Sequence, residues 1–572
     1  MPLCRPAADI SPGCAPSSVG IGSVSGKDVR HLRPGWRTSR EGVGVIFFFD
    51  ENRIESESFQ LNLQLDSKQT LLTDQIHIFI MRNVKIFFRN ALSLLIIAVA
   101  AASCSKQGKD YTDYIPKDAA IVMKVNMGSI MAKTDAKSNK LIASQIGQLT
   151  GTEKEMAEAL LGNPEQLGID MKRDAYVFIA DKEGDKGGIM FGLTDMDKFA
   201  ATLSQVAGST EITEKDGMKR LCPDDETALA FNDNFCLAFI DESKKEAAAQ
   251  LDALLAMPEQ DNINALKSFA AFKADKADMG MLIALETILE YGQEYSQMLP
   301  EDFTVDDCYM AYSILFDNGK TTMSCRYDAE SEASKEYIRK YTGISGKAGT
   351  EFFKYLDKNA LMALVTNTNG EKLTEYLKSM PGLEQELNAN EEMREAFSLL
   401  SSIDGDITIG VNSMIAVPEV LICANVKNDD IVKYLTIKLN GAKLEEGRYS
   451  ANIEGLISFY YGMDGNTFYA SLSPDNRDGL KAKDESLADS RYYDKAKNSY
   501  AYCMINAADI MSIPLVQNYL QYAQPAVIQL LNNIDYIEIA NKDPESGELV
   551  IYTKDNSNLL KQLFELGTGQ LS

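Results

Sequence analysis

The chain has 572 residues, too many for one compact core, since domains usually hold about 100–200. Apolar content of 45% and charged content of 24% are ordinary globular values, so wholesale disorder is excluded. A net charge of −26 sets it against nucleic acid and anionic headgroups as partners, because bulk repulsion opposes both encounters.

Two compositions are joined in the chain. Residues 1–103 hold 11 Lys+Arg against 9 Asp+Glu, which leaves 46 against 74 and a net charge of −28 from Cys104 onward. Both histidines, His31 and His77, and the one tryptophan, Trp36, also precede Cys104. Residues 1–80 show no clean hydrophobic period and are expected to be unstructured, an over-extended N-terminus ahead of a start at Met81. A genuine cytoplasmic extension is the alternative.

Residues 81–103 have the layout of a secretory signal. Arg82, Lys85 and Arg89 form a basic start, residues 91–102 an apolar run, and Ala101-Ala102-Ser103 a small-residue cut site before Cys104. About a dozen apolar residues fall short of the roughly 20 that cross a bilayer. Cysteine in this place resembles the bacterial lipobox, which implies acylation of Cys104 and attachment to an envelope membrane. The family pattern usually has Leu or a similar residue where Ala101 stands, and an unmodified thiol after a plain signal, or an uncleaved anchor, is the alternative. Residues 104–113 read as a polar tether. Exported surface lipoproteins of the Bacteroidetes usually carry acidic residues directly after the cysteine. Here Ser105–Lys109 intervene before Asp110, which points to the periplasmic face of the outer membrane.

Residues 114–346 and 347–572 read as two copies of one unit. YIPKDAAIVMKVN from Tyr114 matches YLDKNALMALVTN from Tyr355, and five further segments match in the same order. The last of these are 312–327 and 536–553, each read as a hairpin with glycine at its turn, Gly319 and Gly547, followed by a helix. Strands that come in runs predict an α+β fold of two tandem pseudo-repeats, each a mainly antiparallel sheet with helices packed on one side. The Gly-rich stretch 343–349 is the expected boundary.

Beyond Cys104 there is no histidine, which removes Ser-His-Asp and Cys-His systems and His-ligated metals. Six cysteines remain, none in a CxxC pair: Cys222, Cys236, Cys308, Cys325, Cys423 and Cys503. Most sit in apolar runs and read as buried thiols, and a Cys308–Cys325 bridge is the pair to test. Residues 475–479 resemble a calcium loop superficially, but Arg477 occupies an oxygen-ligand place, so they read as a turn. Residues 510–534 are rich in Leu, Ile, Val and Tyr. The spacing of Leu515, Tyr519 and Tyr522 reads as helix core packing, with a groove for an apolar ligand as the alternative.

The signal, Cys104, the tether and Tyr114-Ile115-Pro116-Lys117-Asp118-Ala119 together resemble an uncharacterised lipoprotein family of the Bacteroidetes, classed as a domain of unknown function. The resemblance spans Cys104 to Ser572 and implies no activity, cofactor, metal or catalytic residue. The expected function is a non-enzymatic, membrane-anchored envelope lipoprotein that binds a protein partner or a small apolar or glycan ligand. The alternative is a His-free, glycosidase-like hydrolase, which would need two carboxylates about 5–10 Å apart in a pocket.

Overall fold

A computed structural model describes residues 110–134, 167–206, 211–243, 245–291, 305–414, 418–453 and 457–567. The signal segment and Cys104 lie outside them. The described chain is mixed α+β, with one large antiparallel sheet and 15 α-helices.

Residues up to 329 supply β1 (Ile121–Val125), β2 (Ala175–Ile179), β3 (Lys186–Leu193), β4 (Thr213–Lys215), β5 (Met218–Leu221), β6 (Thr227–Phe231), β7 (Phe235–Asp241), β8 (Met279–Ala284), β9 (Cys308–Asp317) and β10 (Lys320–Ala329). The remainder supplies β11 (Met362–Asn369), β12 (Ile403–Ser413), β13 (Glu419–Val426), β14 (Ala442–Glu445), β15 (Arg448–Ile453), β16 (Ile457–Asp464), β17 (Thr467–Ser471), β18 (Ala501–Ile505), β19 (Ile534–Asp543) and β20 (Ser546–Thr553). Two-residue ladders at Ile169–Asp170 and Ser345–Gly346 join β3 and β11.

Outward from the centre, the first ten strands pair in the order β10-β9-β8-β1-β2-β3-β7-β6-β5-β4. The second ten pair in the order β20-β19-β18-β11-β12-β13-β17-β16-β15-β14. β10 pairs with β20, so both sets form one sheet. Among the described residues no ladder joins β4 to β14, and the sheet has two ends.

Local devices also match between the sets. A 3-10 helix ends at Tyr114 and another at Tyr355, each seven residues before its strand. The next residue's carbonyl accepts a backbone N–H from a later 3-10 turn: Ile115 from Ile263 and Leu356 from Leu487, both at 2.9 Å.

Three expectations need correction. Helices cover both faces of the sheet, not one. Helix Met196–Val206 packs Phe199 against Phe191 and Phe231 on one face, while Phe269 and Phe272 of helix Lys267–Ala274 pack with Tyr176 and Phe178 on the other. The reason is that consecutive residues of β2 are all apolar and all buried, so neither face tolerates water. Gly547 is not at a turn. The β19–β20 turn is Pro544-Glu545, and Gly547 is extended, paired with Cys325, whereas Gly319 does sit at its turn with φ +81°. The tether stops short of residue 113, because Tyr111 and Thr112 are buried and Asp110 caps the first 3-10 helix.

Candidate functional site

Directly paired residues of an antiparallel ladder project to the same face, so the register identifies what each face carries. β10 alternates: Thr322, Ser324 and Arg326 point one way, Met323, Cys325 and Tyr327 the other. Followed across the ladder, the second face carries the row Met279–Ile314–Met323–Leu549–Ile539 on β8, β9, β10, β20 and β19. At about 4.8 Å per strand this row is about 19 Å long. It crosses from one set of strands to the other without an ionisable side chain.

This face is incompletely covered. Met279, Met323, Tyr327 and Ile539 are each 39–40% exposed, and Tyr312 is 37% exposed. Helices lie beside it at both ends: Leu285–Tyr291 and Leu559–Gly567 along β8 and β9, Ala507–Ser512 and Pro525–Asn533 along β19. Ile288 of the first packs with Met281 and Ile283, on the same face as Met279. Burial raises the Tyr312 and Tyr327 phenols and the Cys325 thiol above their ordinary values, so all three stay neutral at physiological pH. The result is an uncharged apolar strip flanked by helices, a trough in that sense alone, with methionine at two of its five row positions and a surface suited to hydrocarbon.

Buried charges elsewhere are satisfied structurally. Asp278 accepts from Ser129 Oγ at 2.5 Å, from Lys133 Nζ at 2.6 Å and from the Phe316 amide at 2.7 Å, tying helix Met127–Thr134 to β9. Lys124 donates to the carbonyls of Phe272, Lys273 and Asp275 at the end of helix Lys267–Ala274. Glu538 accepts from Tyr502 at 2.6 Å and from Lys495.

The residues singled out from sequence fall as follows. Cys104 is outside the described residues. Cys222 is exposed, Cys325 half-buried, and Cys236, Cys308, Cys423 and Cys503 are buried; none of the six is bridged. Cys308 and Cys325 stand four register positions apart on the β9–β10 hairpin, since Cys308 pairs with Ala329 and Cys325 with Tyr312. That is roughly 13 Å along the strands, beyond disulfide reach. Residues 474–476 form a 3-10 turn followed by Gly479 at φ +103°. Leu515, Tyr519 and Tyr522 are not core: they are 58%, 62% and 85% exposed. A recess lined by Gln529, Leu530, Asn532, Asn533, Asp555 and Gln562 contains one carboxylate, not a pair. Among the described residues no group of three or more His, Cys, Asp or Glu is arranged to hold a metal.

Sequence reasoning missed the trough residues themselves. The alternation of β10 was available, but which face would lack cover depends on its pairing with a strand more than 200 residues later.

Over residues 111–559 the chain matches the family model described as Domain of unknown function (DUF4836). No curated protein matches it. Among solved structures it is similar to "Structure of crystal form I of TP0453", with 9% identity and a TM-score of 0.25, over 43% of this chain and 90% of that one. Crystal form III of the same protein gives 9% and 0.25, over 43% and 91%.

Proposed function

We propose, for a chain that belongs to the family described as Domain of unknown function (DUF4836), that it is a non-enzymatic lipoprotein of the bacterial envelope which binds the hydrocarbon portion of a ligand. In this reading Cys104 carries the lipid, residues 105–109 are the tether, and the two sets of ten strands are copies of one ancestral unit. The shared pairing order and the matched 3-10 turns support the duplication.

The observation that carries the binding role is the Met279–Ile539 row: apolar, uncharged, and about 40% exposed at Met279, Met323 and Ile539. A monomeric soluble surface rarely leaves a contiguous apolar strip open unless something occupies it. The row's length, about 19 Å, exceeds the roughly 15 Å that one acyl chain spans in half of a bilayer core.

The test is titration of the protein with a fluorescent polyene fatty acid, alongside Met323→Asp and Ile539→Asp. Both side chains are partly exposed, so the variants are expected to fold with a cost of about 1–2 kcal/mol. Saturable binding weakened at least tenfold in both variants supports the role. Equal binding by parent and variants would remove it.

A further inference from the structure

A second surface of the molecule, remote in sequence from the trough strands of the first set, has a different character. Between Asp509 and Asp535 no residue is charged, a run of 25 in a chain of which 24% is charged. The run folds as helices Ala507–Ser512, Pro514–Leu520 and Pro525–Asn533. Its central part stands out from the body. Leu515, Tyr519 and Tyr522 are exposed, as are Gln517, Asn518 and Gln521 between them, whereas Ile513 is buried beneath.

Ordinary solvated helices of this protein look different. Helix Asp430–Lys438 carries Lys433 and Lys438 in ion pairs with Asp429 and Glu395. The segment at the corresponding place in the first set of strands, residues 285–303, carries Glu286, Glu290, Glu294, Glu301 and Asp302. Charge has therefore been excluded from one of two like segments, and that one presents tyrosine and leucine to the outside.

We infer that residues 514–525 dock into the interfacial layer of a phospholipid bilayer. The occupant follows from charge. From Cys104 onward the chain is at −28, so most of its surface is repelled by anionic headgroups, and a neutral patch is the part that approaches a membrane without that penalty. Tyrosine places an apolar ring below the headgroups and a hydroxyl among them, and Gln and Asn satisfy headgroup oxygens. The tether agrees. β18 and β1 run parallel across the sheet, and residues 507 onward leave at the same strand-end edge where Asp110 pairs with Lys273 and Tyr111 bonds to the Asp174 carbonyl. Cys104 lies six residues before Asp110, at most about 20 Å. One edge of the sheet thus holds both the start of the tether and the neutral patch. The docking does not depend on whether the trough binds hydrocarbon.

The experiment uses the protein purified from cells that process and acylate it, carrying Tyr522→Trp, and Trp36→Phe so that position 522 holds its one indole even if residues 1–103 are retained. It is reconstituted with phosphatidylcholine vesicles that carry brominated acyl chains. A second reporter chain, Trp36→Phe with Ile437→Trp, places its indole on a charged helix at a site 75% exposed. An anchor alone tethers both reporters equally. Docking predicts that emission from the indole at position 522 is quenched at least twofold and blue-shifted while that from position 437 is not. It also predicts that adding Leu515→Asp and Tyr519→Asp relieves the quenching. Equal quenching of both reporters, or no quenching at position 522, overturns the inference. So does a blue shift at position 522 that depends on protein concentration and not on lipid, which would make the patch a contact between copies. Failure here leaves fatty-acid binding by the trough untouched, because that is read from Met323→Asp and Ile539→Asp.

Discussion

Met323 and Leu549 stand opposite each other at the midpoint of the β10–β20 ladder. Each is the fourth residue of its strand, and the seven pairs around them run from Lys320–Tyr552 to Arg326–Ser546. Exchanging the two strands therefore leaves the ladder unchanged. A local two-fold relation of this kind puts the same apolar face of both sets side by side, which is how the trough crosses from one set to the other without a seam.

The two glycines near the closing hairpins have opposite backbone roles. Gly319 has φ +81°, and a Cβ there would collide with Asn556 Oδ1. Gly547 is extended, with nothing nearer than 3.8 Å. Gly319→Ala is expected to cost about 1–3 kcal/mol, and Gly547→Ala to be neutral within about 0.5 kcal/mol or slightly stabilising. Urea unfolding of both variants checks this; equal losses would contradict the register.

These glycines also show what the sequence could and could not reveal. The runs of strands were legible because period-2 alternation is local. Gly547 was misplaced because β19 is irregular between Ala540 and Asp543, which moves the turn to Pro544-Glu545. Leu515, Tyr519 and Tyr522 have the same spacing whether they face a core or water, so periodicity could not choose. Helices on both faces were foreshadowed by the unbroken apolar run of β2, which excluded an open face there.

Glu330 caps helix Lys267–Ala274 from the end of β10, accepting from the amides of Lys267 and Ser268 at 2.9 Å and from Ser268 Oγ at 2.7 Å. Burial pushes its carboxyl up, but those hydrogen bonds outweigh burial and hold it below the usual carboxylate range. A depressed carboxyl contributes stability that is complete above its unfolded value and is lost as pH falls through its folded one. Glu330→Gln is expected to cost about 1–2 kcal/mol at neutral pH. The gap between parent and variant closes on acidification through that range. Denaturant unfolding across pH reads this out; a gap that widened in acid would refute the cap.

Thiol chemistry follows burial. Among the six described cysteines, Cys222 alone is exposed, with a thiol that partial burial raises, while burial drives Cys308 and Cys503 to about 11 and Cys423 to about 12. In mildly alkaline buffer a maleimide is expected to label Cys222 first, the half-buried Cys325 more slowly, and the four buried thiols only on unfolding. Peptide mass spectrometry should find no Cys308–Cys325 crosslink after air oxidation. Finding that bridge would contradict their separation along the hairpin.

Anchorage is tested at Cys104. Cells fed an alkyne fatty acid are expected to label the parent protein and to lose the label in Cys104→Ala, with the mature N-terminus beginning at residue 104. Persistent labelling of the variant would place the lipid elsewhere or remove it from the account.

The most direct measurement on the trough is photo-crosslinking of the intact protein with a diazirine fatty acid, followed by peptide mass spectrometry. Adducts are expected on β8, β9, β10, β19 and β20, concentrated at Met279, Met323 and Ile539, and suppressed by excess unlabelled fatty acid. Adducts scattered over the surface and indifferent to that competitor would contradict a hydrocarbon site at the centre of the sheet.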